Sequence, residues 1–506
     1  MGGIAEQRRD DRLPAGAAII LASLVFGSLR QGAYHLWQHQ VFVALLALGA
    51  ILFLRQATVQ MTLRVSLILA PLVLSSVVSV ALAEARSDAA STFVLIGVIA
   101  LAMLASGVVA AHHETTVLTA LIGVACVVGA TAIWGVTFHS APWGRITEGV
   151  WRGSSSLTYS NAAAAILGPV TLLAVIKAAH TDGRLYAVAA TFTSIGFITT
   201  QSRGGALAFV FAGVLMLFHL KPRRFATVMI PVMLGVAVGA PLLILRSQDA
   251  GEPAGFVAIA LVAVGLCATT ISWSGRHRIP KPHLLIFVGV PLLGLVVGLT
   301  GLGEAIAPRL SLRSGTTFGG QNANVLLGDR AKTWEVAWGE FLNSPLFGNG
   351  PGEVDLAWVQ EGRGFRVMFV HNEYLELAVT HGVFGVGALL VSTVIFIRFV
   401  RLNSSTAPLV IALVNFMAHS TFDFLWHIPM LPVFFASVAG VALGLSAHSA
   451  TSVRPDAPNR STTDPNSPIP ERLDGNGGFD GADLHQLEQY QEAGASGVHS
   501  NDRTAG

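Results

Sequence analysis

Charge is what this 506-residue chain has least of: only 12% of its residues are Asp, Glu, Lys or Arg. A soluble domain of this length carries roughly a quarter, so that class is excluded. Cysteine is nearly absent. Cys126 and Cys267 both lie inside apolar runs, which leaves no disulfide framework. There is no phosphate-binding loop of the Walker type and no GxGxxG following a strand, so nothing points to ATP or a dinucleotide. The ten-residue alternation of a membrane barrel is missing too. A net charge of +2, with the basic residues confined to short loops, gives no reason to expect nucleic acid.

What is there is apolar: 52% of residues are hydrophobic, and the mean hydropathy is +0.62. Runs of the length that crosses a bilayer recur along most of the chain. The expected fold is therefore all-α, a polytopic transmembrane helical bundle of about 12–14 spans. The runs lie near 15–30, 37–54, 63–83, 91–111, 116–137, 161–178, 184–200, 204–220, 225–246, 254–274, 283–303, 382–400, 407–423 and 428–447. The first run is followed by many others, so it reads as a first span rather than a cleaved signal.

Orientation follows from the basic residues. The arm 1–14 carries Arg8, Arg9 and Arg12, which assigns it to the cytoplasm. With that start, Arg55 and Arg64, Lys177 and Arg184, Lys221, Arg223 and Arg224, Arg276, Arg278 and Lys281, and Arg398 and Arg401 all fall inside. The loop at His112-His113-Glu114 is the weakest member, with no Lys or Arg. The other face receives the loop 138–160, the Ser202-Arg203 corner, the large loop 304–370 and the His419–His427 corner. From 448 to 506 the composition turns to Ser, Thr, Pro, Asn, Asp and Gly, which cannot bury a core and reads as a disordered cytoplasmic tail. The domain between, 15–447, holds the membrane bundle.

The polar groups on that outer face are the candidates for chemistry. Arg203 stands in Gln201-Ser202-Arg203-Gly204-Gly205, where a snorkelling arginine would need no glycines. Two glycines let a ligand or another helix come close, and a guanidinium suits a phosphate. Arg330 opens an amphipathic stretch in which Trp334, Ala337, Trp338, Phe341 and Leu342 recur at helical spacing, a helix lying on the membrane surface. A cation at a helix start is disfavoured by the dipole, which points to another use. His371 ends the large loop, with Asn372 placed to cap the next helix and Glu373 and Glu376 in its first turn. Helical spacing puts His371, Tyr374 and Leu375 on one face, and an imidazole can take a proton from a hydroxyl. Asp423, near His419 and His427, is a carboxylate at a span end that calls for a partner, one of the arginines being a candidate. Glu353 and Asp355 form an acid-x-acid pair, but other clustered ligands are lacking, so no metal is expected.

Several of these pieces resemble one family in order and spacing: Gln201-Ser202-Arg203-Gly204-Gly205, Arg330 with Trp334, Ser344-Pro345-Leu346-Phe347-Gly348-Asn349-Gly350-Pro351-Gly352, His371-Asn372-Glu373-Tyr374-Leu375-Glu376, Gly382-Val383-Phe384-Gly385, and His419-Ser420 through Asp423-Phe424 to Pro429. Over roughly 155–435 the chain resembles the O-antigen ligase and O-antigen polymerase superfamily of bacterial membrane glycosyltransferases. The resemblance implies a GT-C-like bundle in the cytoplasmic membrane and an outer-face glycosyl transfer that needs no metal or cofactor. The donor it implies is a glycan on undecaprenyl diphosphate, the acceptor a hydroxyl on a lipid core sugar, a growing glycan or a protein. By the same resemblance Arg203 and Arg330 bind the diphosphate and His371 activates the acceptor with inversion. Asn161 and Tyr159, in Tyr159-Ser160-Asn161-Ala162, join Asn372, Glu373, Tyr374, His419 and Asp423 as candidates to line the site. About fourteen runs are more than the dozen common in the family. The alternative is a lipid-linked oligosaccharide flippase. A transporter would place its charges at mid-membrane on broken helices, often with internal repeats; here they gather at one face.

Overall fold

A computed structural model describes residues 14–54, 57–82, 89–147, 150–181, 183–220, 225, 227–245, 252–274, 330–352, 354–360 and 363–452. The expected span 283–303, the start of the large loop, Glu353 and most of the tail lie outside these residues.

Apolar runs become helices because a backbone away from water must satisfy its own hydrogen bonds. The helices are α1 (Ala15–Leu29), α2 (Leu36–Leu54), α3 (Val59–Leu82), α4 (Ala89–Thr137), α5 (Ser160–Thr181), α6 (Arg184–Thr200), α7 (Arg203–His219), α8 (Ile230–Leu245), α9 (Glu252–Ser274), α10 (Arg330–Asn343), α11 (Glu373–Phe399), α12 (Ala407–Ser420) and α13 (Met430–Ser452). Among the described residues six of them are long and apolar enough to cross a membrane, and five shorter ones are apolar as well. The all-α, multi-pass architecture is therefore present. α5 and α13 are buried along most of their length and form the centre, with α4, α6 and α12 packed around them.

Three features differ from the sequence expectation. The runs 91–111 and 116–137 are two helices that follow each other in α4 with no loop between them, meeting at a kink at His113 (φ −133°, ψ 44°). There is no loop there to hold a basic residue, and Glu114 instead pairs with Lys177 of α5 at 2.6 Å. The connections ahead of α5 and α11 are not purely helical either. β1 (Gly144–Thr147) pairs antiparallel with β2 (Val150–Gly153), and β3 (Leu356–Gln360) with β4 (Arg363–Val367). Trp358 stands opposite Phe365 in the second hairpin, their rings stacked 5.5 Å apart. Asp355 there is held by Arg366 through two bonds of 2.6 Å.

The third is α11, in which the helix expected after Asn372 and the span expected from 382 run on from one another across a break at Gly382 (φ 65°, ψ −165°). The Pro345–Gly352 loop fills that break. Its Asn349 and Gly350 N–H groups donate to the carbonyls of Val379 and Thr380 at 2.9 and 3.0 Å. In return the freed N–H groups of Val383 and Phe384 donate to Pro345 and Leu346 at 2.8 and 3.2 Å. Ser79 of α3 sets its hydroxyl between the carbonyls of Phe347 and Thr380, at 3.0 and 2.9 Å. Both glycines at the crossing are left-handed, and a Cβ on either Gly348 or Gly382 would lie 2.3 Å from facing backbone. That is the physical reason for the PLFGNGPG and GVFG motifs: two backbones exchange hydrogen bonds at a distance only glycine permits.

Candidate active site

His371 sits immediately before α11, and its backbone is left-handed (φ 57°), a conformation uncommon outside glycine. The neighbours hold it there. Asn372 caps α11, its side-chain oxygen accepting from the N–H groups of Tyr374 and Leu375, both at 3.1 Å. Val370 is pinned on both sides: its N–H donates to Glu376 at 2.9 Å and its carbonyl accepts from the Trp334 indole at 3.0 Å. Glu373 accepts from the Trp426 N–H. His427 places Nε2 2.5 Å from Glu376 and 3.8 Å from Glu373. The two buried carboxylates thus stitch the turn before α11 to the turn before α13. His371 does not share a helix face with Tyr374 and Leu375, as helical spacing suggested, because it lies outside the helix with reversed backbone sign. Tyr374 instead donates to the Met417 carbonyl at 2.7 Å.

Asp423 is the point where the distant segments meet. It lies in the turn beyond α12 and is completely buried. Its carboxylate receives Tyr159 Oη at 2.7 Å, His371 Nδ1 at 3.2 Å, Arg330 Nη2 at 3.3 Å and the Asn161 amide nitrogen. Arg330 also donates Nη1 to the Phe422 carbonyl. Burial favours the protonated acid, but the hydrogen bond from His371, the charge of Arg330 and the bond from Tyr159 outweigh it and bring its pKa down to about 2. Tyr159, pushed up by burial and by the Asp423 charge, stays a neutral phenol and a donor. A buried carboxylate with this many donors is paired in the way its cost demands. Of the expected residues, then, His371, Arg330, Asp423, Tyr159 and Asn161 share one cluster, with Asn372 and Glu373 fixing its backbone.

The His371 imidazole spends Nδ1 on Asp423 and packs its edge on Phe424, ring centres 4.8 Å apart. Its Nε2 is the nitrogen left for chemistry, and the side chain is 29% exposed. Phe424 is sandwiched between Tyr159 and Phe369, at 5.0 and 4.6 Å, which gives the cluster a rigid aromatic floor. Arg330 is equally open, at 29%.

Arg203 belongs to a neighbouring turn. It is the exposed first residue of α7, behind the cap Ser202, which accepts from the Gly205 N–H at 3.1 Å. The glycine pair serves helix approach: a Cβ on Gly204 would meet Phe422 at 2.9 Å and one on Gly205 would meet Ala164 at 3.0 Å. Gly204, the residue after Arg203, thereby packs on the residue that precedes Asp423. His419 is buried behind this contact, 3.4 Å from the Ser202 hydroxyl, and supports the packing rather than lining an open site.

One participant escaped the sequence reading. Arg152 of β2 donates to the carbonyls of Thr200 and Gln201 at 2.9 and 3.3 Å and to the Asn161 side-chain oxygen at 3.2 Å. Because that oxygen faces Arg152, the Asn161 amide nitrogen faces Asp423 and Tyr159, and its orientation is determined. No motif marks Arg152; only the hairpin, which a four-residue strand does not announce, brings it there.

Compared with known families, residues 186–390 match the model described as Wzy_C, O-antigen ligase. The match supports the O-antigen ligase and polymerase superfamily and hence a membrane glycosyltransferase of that type. The matched segment contains Arg203, Arg330 and His371, whereas Tyr159, Asn161 and Asp423 fall outside it. No curated protein matches the chain.

Proposed function

From a chain whose residues 186–390 match the O-antigen ligase family model, we propose an enzyme that moves a glycan from an undecaprenyl-diphosphate carrier to a hydroxyl acceptor. The transfer takes place on the outer face of the cytoplasmic membrane. The observation that carries this reading is Asp423, one buried carboxylate that holds a histidine by Nδ1 and an arginine by Nη2. The carboxylate fixes the imidazole with its proton on Nδ1, so Nε2 carries the lone pair. That nitrogen takes the proton of the acceptor hydroxyl as its oxygen bonds to the anomeric carbon. The bond from that carbon to the diphosphate breaks on the opposite side, and the configuration inverts. The electron pair leaves with the diphosphate, whose charge Arg330 and Arg203 meet by charge-assisted hydrogen bonds. In this reading the guanidinium groups fill the place a divalent cation takes elsewhere.

The test is a deletion strain complemented with wild-type or His371→Ala protein at matched membrane levels, with the undecaprenyl-diphosphate-linked glycan followed by mass spectrometry. Accumulation of that glycan on the outer face, with loss of one mature conjugate, is the expected result, and the missing conjugate identifies the acceptor. Glycan trapped on the inner face would instead establish a flippase. The break in α11 is a feature transporters also use, but here a loop of the same chain saturates it.

A further inference from the structure

At the opposite ends of α3 and α11 from His371, two cations stand together. Arg64, in the second turn of α3, is half-buried, and its guanidinium carbon lies 5.6 Å from the centre of the Phe399 ring at the end of α11. Its Nη1 is shut off from water and has no hydrogen-bond partner. Among the described residues the charge that acts on it is another cation, Arg401, exposed and two residues beyond Phe399. Ser79, where α3 touches the Pro345–Gly352 loop, is about 22 Å farther along the helix. The pair is therefore remote from the Asp423 cluster, on the face that the charge bias assigns to the cytoplasm.

A snorkelling arginine keeps its head in water. Arg64 does the reverse, resting on an aromatic face with a donor unsatisfied and a like charge beside it, both of them unfavourable. An anion bridging the two guanidinium groups relieves the repulsion, and a phosphate matches their fork geometry. The surroundings select which phosphate. Leu67, one turn from Arg64, is exposed, as is Leu63; Val394 and Ile397, on the α11 face that leads to Arg401, are exposed too, and so is Leu402. The cations thus head an outward apolar flank of two helices that pack on each other. We infer that Arg64 and Arg401 bind the phosphate of an anionic phospholipid whose acyl chains lie along this flank. The site is independent of the transfer reaction proposed above.

Native mass spectrometry of the full-length protein, in detergent holding equal amounts of phosphatidylglycerol and phosphatidylcholine, tests it. The wild type retains phosphatidylglycerol in preference. Arg401→Gln and Arg64→Gln each reduce that preference about fivefold, the equivalent of ~1 kcal/mol per interfacial basic residue. Arg401 is exposed, so its variant probes the site without disturbing packing. Millimolar inorganic phosphate leaves the bound lipid in place. Equal retention of the two lipids by the wild type, or an unchanged preference in the double variant, overturns the site. Displacement by inorganic phosphate would assign the pair to a free anion and overturn the lipid.

Discussion

Asp423 keeps its charge where a lone carboxylate would give it up. Its pKa of about 2 lies below the ordinary value near 3.9. A carboxylate depressed on folding stabilises the protein above the unfolded-state pKa, and the contribution disappears as pH falls through the folded one. For this group that is about 2–3 kcal/mol, lost between roughly pH 4 and pH 2. Thermal unfolding in detergent should show it as an acid-sensitive drop in Tm for the wild type that is smaller in Asp423→Asn. Equal drops would mean that other carboxylates dominate. The same substitution should lower transfer by about 10²–10⁴, as should His371→Ala, because each removes the base or its orientation. Both proteins should still reach the membrane in normal amount. Arg330→Lys should recover little of what Arg330→Ala loses, since one ammonium cannot serve Phe422, Asp423 and a phosphate at once. Recovery to near wild-type rates would show that only the charge matters.

At the scale of elements, the break in α11 decides where His371 stands. The Pro345–Gly352 loop satisfies the opened turn from one side and Ser79 from another, so the first two turns of the helix are held by the loop as well as by the span. Gly382→Ala or Gly348→Ala places a Cβ 2.3 Å from backbone in a left-handed conformation and should destabilise by several kcal/mol. Ser79→Ala should cost about 1 kcal/mol, one net hydrogen bond; the check is melting temperature in detergent for all three. Much of this was legible beforehand. The turn residues flagged the loop, the cap at Asn372 flagged the helix start, and apolar runs gave most of the helices. The pairing of the loop with Gly382 was not legible, because periodicity records an element's exposure and not which backbone it touches. For the same reason His371 was assigned to a helix face, although a non-glycine residue in left-handed backbone has no signature in sequence. Arg152 and the two hairpins were missed because strands of four and five residues carry too little alternation to stand out.

At the scale of the whole molecule, the segment that matches the family model holds only part of the cluster. The matched segment ends at 390, yet the carboxylate that orients its histidine lies beyond it, and Tyr159 and Asn161 lie before it. Sequence could name Asp423 as needing a partner, but only the structure shows that it holds both His371 and Arg330.

On the proposed function, that shared carboxylate also determines when the chain becomes active. Tyr159 and Asp423 are 264 positions apart and Arg330 and Asp423 are 93 apart, so their meeting is among the most non-local events of folding. Synthesis of α11 completes the histidine and its cap, but the group that orients it is still to be made, two corners further on. On the function proposed above, a half-inserted chain lacks the carboxylate that holds His371 and Arg330 and is inert. A ribosome paused before Asp423 should leave membranes that hold the protein and transfer nothing.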